Sequence, residues 1–107
     1  LTGSVDAARL ALSRAGLAPA DIDLFEVNES FAALMLHFEK SLGISRERIN
    51  VNGGAIALGH AMGSTGTALV GTLLDELERR GGRYGVVAIC GAAGLASAAV
   101  FELKSAP

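Results

Sequence analysis

The chain has 107 residues, enough for one small domain with a modest core, and its net charge of −2 comes from acids and bases mixed along it. No basic patch is available to neutralise phosphates, which argues against a nucleic-acid surface, and no apolar run approaches the roughly 18 residues that span a bilayer. A single cysteine excludes an internal disulfide and fits a reducing compartment, cytoplasmic or the matrix of an organelle, and one Cys with two His is too few for a structural zinc site.

Half the residues are hydrophobic but only four are Phe and one is Tyr, so the core must be aliphatic and alanine-rich. No signal-peptide pattern opens the sequence, since no basic flank precedes an apolar run, and Leu1, which is not a start residue, suggests the beginning of a fragment or a processed chain. Residues 5–15 read as a helix, with Val5, Ala8, Leu12 and Ala15 on one face. Thr2 or Ser4 is placed to cap it and Gly16 to end it. Pro19 marks a short connection to a buried strand at residues 22–27. Asn28 then caps a second helix whose apolar stripe is Phe31, Leu34, Met35, Phe38 and Leu42, closed by Gly43. His37 lies off that stripe and reads as a surface residue.

Residues 49–51 suggest a very short strand. A glycine-rich loop follows, with Gly53, Gly54, Gly59 and Gly63 around His60. A long helix is expected from about Met62 to Arg80, with Met62, Leu69, Leu73, Leu74 and Leu77 as its stripe. Gly66 and Gly71 mark places of close packing, and Asp75/Arg79 and Glu76/Arg80 form i, i+4 pairs on the wet side. Residues 84–90 read as a buried strand, 91–94 as a turn, 96–103 as a strand antiparallel to the first, and 104–107 as a tail. This order predicts an α/β domain with a mixed sheet, helices on both faces and a C-terminal hairpin.

Three polar groups sit at junctions between elements: Asn28, His60 and Cys90. Asn28 and Cys90 fall at the carboxyl ends of strands, where open α/β sheets bind ligands. Each has a plain alternative. Asn is among the best helix caps, and a buried Cys is most often a small hydrophobe. The loop is not a nucleotide cradle. Gly54 and Gly59 have P-loop spacing, but His60 and Ala61 replace Lys and Ser/Thr, and Gly59, Gly63 and Gly66 do not make a Rossmann fingerprint. The glycines around Cys90 let backbone N–H groups point at a bound oxyanion, and a Cys with a His suits acyl transfer.

The residues at these junctions resemble thiolase motifs. Asn28-Glu-Ser-Phe-Ala32 is similar to the family's Asn-Glu-Ala-Phe-Ala, residues 52–66 to its Gly-His-Pro loop, and Ile89-Cys-Gly-Ala-Ala-Gly94 to its second catalytic cysteine motif. Residues 1–3, 15–17 and 21–23 also fit, so the likeness runs over essentially the whole chain. It implies the C-terminal half of the thiolase fold over residues 1–107, with the half that carries the nucleophilic cysteine not included. It also implies an acyltransferase of fatty-acid metabolism that uses coenzyme A as a substrate, holds no permanent cofactor or metal, and assembles as a dimer or tetramer.

By the same resemblance, His60 activates the nucleophile and helps bind the thioester oxygen. Asn28 holds a water of the first oxyanion hole, and Cys90 is the general acid and base. The backbone N–H of Ala92 belongs to the second oxyanion hole, and Gly59, Ala61 and Gly91 line the substrate loop. Two departures stand out. Ala61 replaces the usual proline, and Ala92 replaces the usual glycine, which matters only if φ there is positive. Two other readings follow from the residues: a non-catalytic binding or assembly module, and a self-contained Cys90/His60 hydrolase.

Overall fold

The computed structural model describes residues 2–104, so residues 105–107 of the expected tail lie outside it. Helix α1 covers Gly3–Ala15, strand β1 Leu24–Val27 and helix α2 Ala32–Leu42. A single turn of helix, α3, follows at Ala55–Leu58, and then α4 at Thr65–Arg80. Strands β2 (Tyr84–Cys90) and β3 (Ala96–Glu102) complete the chain. The sheet runs β1-β2-β3, with β1 parallel to β2 and β2 antiparallel to β3, as the element order predicts.

Side chains alternate across the sheet, and the two faces collect different helices. Phe25, Val27, Val86 and Ala88 pack with Val5, Ala8 and Leu12 of α1 and with Phe38 and Leu42 of α2. Leu24 and Val87 face Leu69, Leu73 and Leu77 of α4. Helices therefore do cover both faces. Each fully buried side chain of the size of Phe25 or Leu73 contributes about 1.5–3 kcal/mol by leaving water. Phe25 and Phe38 meet edge to face, with centroids 6.0 Å apart, the arrangement their ring quadrupoles favour.

Several local expectations are corrected. Asn28 does not cap α2, which starts at Ala32 after an extended Phe31 that no side chain caps. Asn28 instead turns into the sheet end and is 3% exposed. Phe31 and Ala15 are exposed rather than buried in their stripes. The short strand at 49–51 shrinks to one bridge between Ile49 and Phe25, because Asn50 takes a left-handed φ of 46° and turns the chain away.

The long helix begins at Thr65, and Met62 before it is 91% exposed. Gly71 faces open space and Gly66 makes only ordinary contact. The close approach lies at Gly85 on β2, where a Cβ would stand 2.6 Å from Leu73 of α4. Glu76 is buried rather than wet. It receives hydrogen bonds from Arg79, Arg80 and Asn52, and no pair joins Asp75 to Arg79 among the described residues. These donors, Arg79 foremost, hold the Glu76 carboxyl well below the usual carboxylate range.

Candidate active site

Asn28 and Cys90 reach one end of the sheet because β1 and β2 run parallel in register, Val27 opposite Ala88, with the Asn28 N–H donating to Ala88 O at 3.0 Å. His60 arrives from the loop between α3 and α4. Its Nδ1 lies 2.8 Å from Thr65 Oγ1, whose hydroxyl donates to Ala61 O. The imidazole is exposed, and it lines two clefts. One, of about 530 Å³, also contains Asn28, Glu26, Gly59 and Ala61. The other, of about 390 Å³, contains Cys90, Gly91, Met62 and Leu95. The three junction residues, 32 and 30 positions apart along the chain, therefore converge on one region with His60 shared between both clefts.

Asn28 Nδ2 approaches Ser30 Oγ at 3.4 Å, while its buried Oδ1 has no hydrogen-bond partner among the described residues. An orphaned buried acceptor costs about 1–3 kcal/mol, and a hydrogen-bond donor bound in the cleft would relieve it. Ser30 Oγ in turn lies 3.1 Å from Cys90 Sγ. Beyond Cys90, the chain makes a tight turn in which Gly91 N–H donates to Leu95 O at 2.6 Å. The Gly91 N–H is thus committed within the turn. Ala92 does not have a positive φ; the left-handed residue is Ala93, at φ 57°. The replacement of glycine by Ala92 therefore introduces no backbone strain at that position.

The glycine-rich loop is less open than its composition suggests. Asn50 bonds Val27 from both sides, receiving from its N–H and donating to its C=O at 2.8 Å each. Glu29 accepts from Asn50 Nδ2 at 3.1 Å and from the N–H of Ile56 in α3 at 3.1 Å. Its carboxylate lies against Gly54, where any Cβ would collide with it. Close backbone approach is the reason for glycine there. Through this clamp the end of β1 fixes the loop that carries His60.

Sequence reasoning missed four contributors. Glu29 and Ser30 enter it only within the motif at residues 28–32, Asn50 only within the short strand at 49–51, and Glu26 only as part of a buried strand. The signal for Glu26 was available: a carboxylate inside Leu24-Phe-Glu-Val27 is a charge in an otherwise apolar strand, and Glu is almost never fully buried unless paired. Glu26 is 4% exposed, on the same strand face as Asn28. Burial pushes its pKa up to about 7, with Glu29 and Glu76 adding to the rise. His37 is exposed on α2, with Nε2 3.4 Å from Ser41 Oγ, and takes no part in either cleft.

Half or more of the aligned positions are identical to 3-ketoacyl-CoA thiolase of Bacillus subtilis (strain 168), 50% over 101 residues and 94% of this chain. Peroxisomal 3-ketoacyl-CoA thiolase B of Rattus norvegicus is 56% identical over 93 residues, 86% of this chain. Peroxisomal 3-ketoacyl-CoA thiolase 1 of Arabidopsis thaliana is 52% identical over 94 residues, again 86% of this chain. The chain spans only 26%, 22% and 21% of the lengths of these curated relatives. Residues 1–103 match the family described as Thiolase, C-terminal domain, and the chain belongs to the thiolase family.

Proposed function

We propose that this chain is the C-terminal catalytic portion of a thiolase. Combined with an N-terminal half that carries the nucleophilic cysteine, it cleaves 3-ketoacyl-CoA with coenzyme A, or runs the reverse Claisen condensation. The observation that carries this reading is the convergence of His60 with Asn28 in one cleft and with Cys90 in the next. The relatives' printed names supply the substrate class.

In this mechanism His60 takes the proton of the nucleophilic thiol, and the thiolate attacks the 3-keto carbon. A water donating one hydrogen to the unpaired Asn28 Oδ1 offers its other hydrogen, alongside His60, to the thioester oxygen, which takes up negative charge as the carbon–carbon bond breaks. The bond between the second and third carbons breaks, its electron pair stays on the acetyl-CoA fragment, and Cys90 protonates that carbon. Cys90 then removes the proton of the incoming CoA thiol, which attacks the acyl-enzyme and releases the shortened acyl-CoA. The Ala92 N–H serves the second oxyanion hole, and Gly59, Ala61 and Gly91 border the substrate. Coenzyme A enters as a substrate, and no resident cofactor or metal is required.

Leu58, Met62 and Leu95 are 78%, 91% and 71% exposed around the two clefts, a surface suited to the missing half and to assembly of a dimer or tetramer. Among the described residues no helix is long and apolar enough to cross a membrane, and relatives are bacterial or peroxisomal, in keeping with a cytoplasmic or organellar-matrix setting. The test joins this chain to the N-terminal half of the Bacillus relative and measures thiolysis of acetoacetyl-CoA. His60→Ala should lower turnover by at least about a hundredfold, the scale of losing a general base. Undiminished turnover in that variant would refute the assignment.

A further inference from the structure

We propose that Ser30 is a positioning residue for Cys90, whose hydroxyl donates to the sulfur and favours its thiolate form. The proposal rests on the reading of Cys90 as the acid and base of the site. Ser30 and Cys90 lie 60 residues apart in sequence, yet Ser30 Oγ stands 3.1 Å from Cys90 Sγ. That contact follows from the parallel register of β1 and β2, which carries the residues after Val27 past the end of β2.

Either atom can donate in this contact, but a thiolate sulfur carries no hydrogen, so toward that form only the Ser30 hydroxyl can donate. Asn28 Nδ2 has only hydrogens to offer, and it points at Ser30 Oγ from 3.4 Å. With one lone pair engaged there, the single hydroxyl hydrogen of Ser30 is free to point at sulfur. The sequence Asn28 to Ser30 to Cys90 is then a relay of donors in which each bond polarises the next. Asn28 itself is buried, and its unpaired Oδ1 belongs to the residue that lines the His60 cleft. A change in what that atom binds therefore reaches Cys90 through two hydrogen bonds. The thiolase motif that residues 28–32 resemble has alanine where this chain has Ser30, so Ser30→Ala is the substitution to test.

The two forms of Cys90 exchange protons with the CoA thiol and with the acetyl carbon. A hydrogen bond offered to the thiolate eases the step in which Cys90 takes a proton. It correspondingly opposes the step in which Cys90 gives one up. Because each direction of the reaction contains one step of each kind, Ser30 sets the relative ease of the two proton transfers rather than supplying a reacting group.

Cys90 is the only cysteine of the chain, so labelling with iodoacetamide reports on it alone. A charge-assisted hydrogen bond raises the thiolate fraction by about tenfold, while it lowers the nucleophilicity of the thiolate by about threefold. The two effects cross with pH. Ser30→Ala should label about threefold more slowly than the unmodified chain at about pH 7. At about pH 10, above the ordinary thiol range, it should label about threefold faster. His60, the titratable group that shares the cleft, is the same in both proteins. Ser30→Thr, which keeps the hydroxyl, should restore the original profile.

A Ser30→Ala change of the same sign at both pH values would mean altered access to sulfur and would overturn the proposal. So would identical rates, the opposite crossing, or a Ser30→Thr chain that behaves like Ser30→Ala. The labelling requires no turnover, so failure of the thiolase reading would appear separately, as full activity of His60→Ala in the joined enzyme.

Discussion

Glu26 offers the sharpest test of how the site end of the sheet is built. It is 4% exposed on β1, its pKa is raised to about 7 from an ordinary 4.5, and the cause is chiefly burial, then Glu29, then Glu76. In the unfolded chain the carboxyl ionises around 4.5. In the fold it keeps its proton until about pH 7, so between those values the folded state binds more protons than the unfolded one. Stability must therefore fall as pH rises through this window. The gap amounts to about 3 kcal/mol in full, of which about 2.5 kcal/mol falls between pH 5 and pH 8.

Glu26→Gln replaces the acid by a neutral group of the same shape and removes that loss. Urea titrations of both proteins at intervals from pH 5 to pH 8 should show the variant gaining on the parent by roughly 2.5 M in midpoint, for a slope near 1 kcal/mol per molar. Glu76 does not interfere. Its pKa is lowered, so its contribution is present above the ordinary carboxylate value and is lost only as pH falls below it, outside the window. A constant offset between the two proteins across the whole range would refute the reasoning, because it would mean that Glu26 ionises alike in both states.

Two further outcomes follow from the loop geometry. Glu29→Ala removes the acceptor for Ile56 N–H and Asn50 Nδ2, so it should cost about 1–3 kcal/mol. Faster hydrogen exchange should be confined to the amides of residues 54–60, and unchanged protection there would show that the clamp does not hold the loop. Ala93→Gly should leave the chain as stable or stabilise it by up to about 1 kcal/mol, read from thermal unfolding, since Ala93 sits at φ 57° where glycine is at ease. A loss of stability in that variant would assign the turn's conformation to a contact of the Ala93 methyl group.

The sequence by itself determined the number and type of the main elements, because periodic apolar residues and terminal glycines are local signals. Tyr84–Cys90 and its antiparallel partner, the helix stops at Gly16 and Gly43, and the two-sided covering of the sheet were all legible in this way. So were Asn28, His60 and Cys90 as candidates, through their places at element ends and then through their motifs. Contacts between distant segments decided the rest. Asn28 reads as a cap until the sheet end claims it, and Glu76 reads as wet until Asn52, Arg79 and Arg80 gather on it.

Likewise, the glycine-rich loop reads as open until Glu29 and Asn50 pin it to β1. Ser30 has no visible purpose until the parallel register sets its hydroxyl against a sulfur 60 residues away. Periodicity records which face of an element leaves water. It carries no information about which polar groups will meet once the faces are joined, and at this site those meetings set the positions of the chemistry.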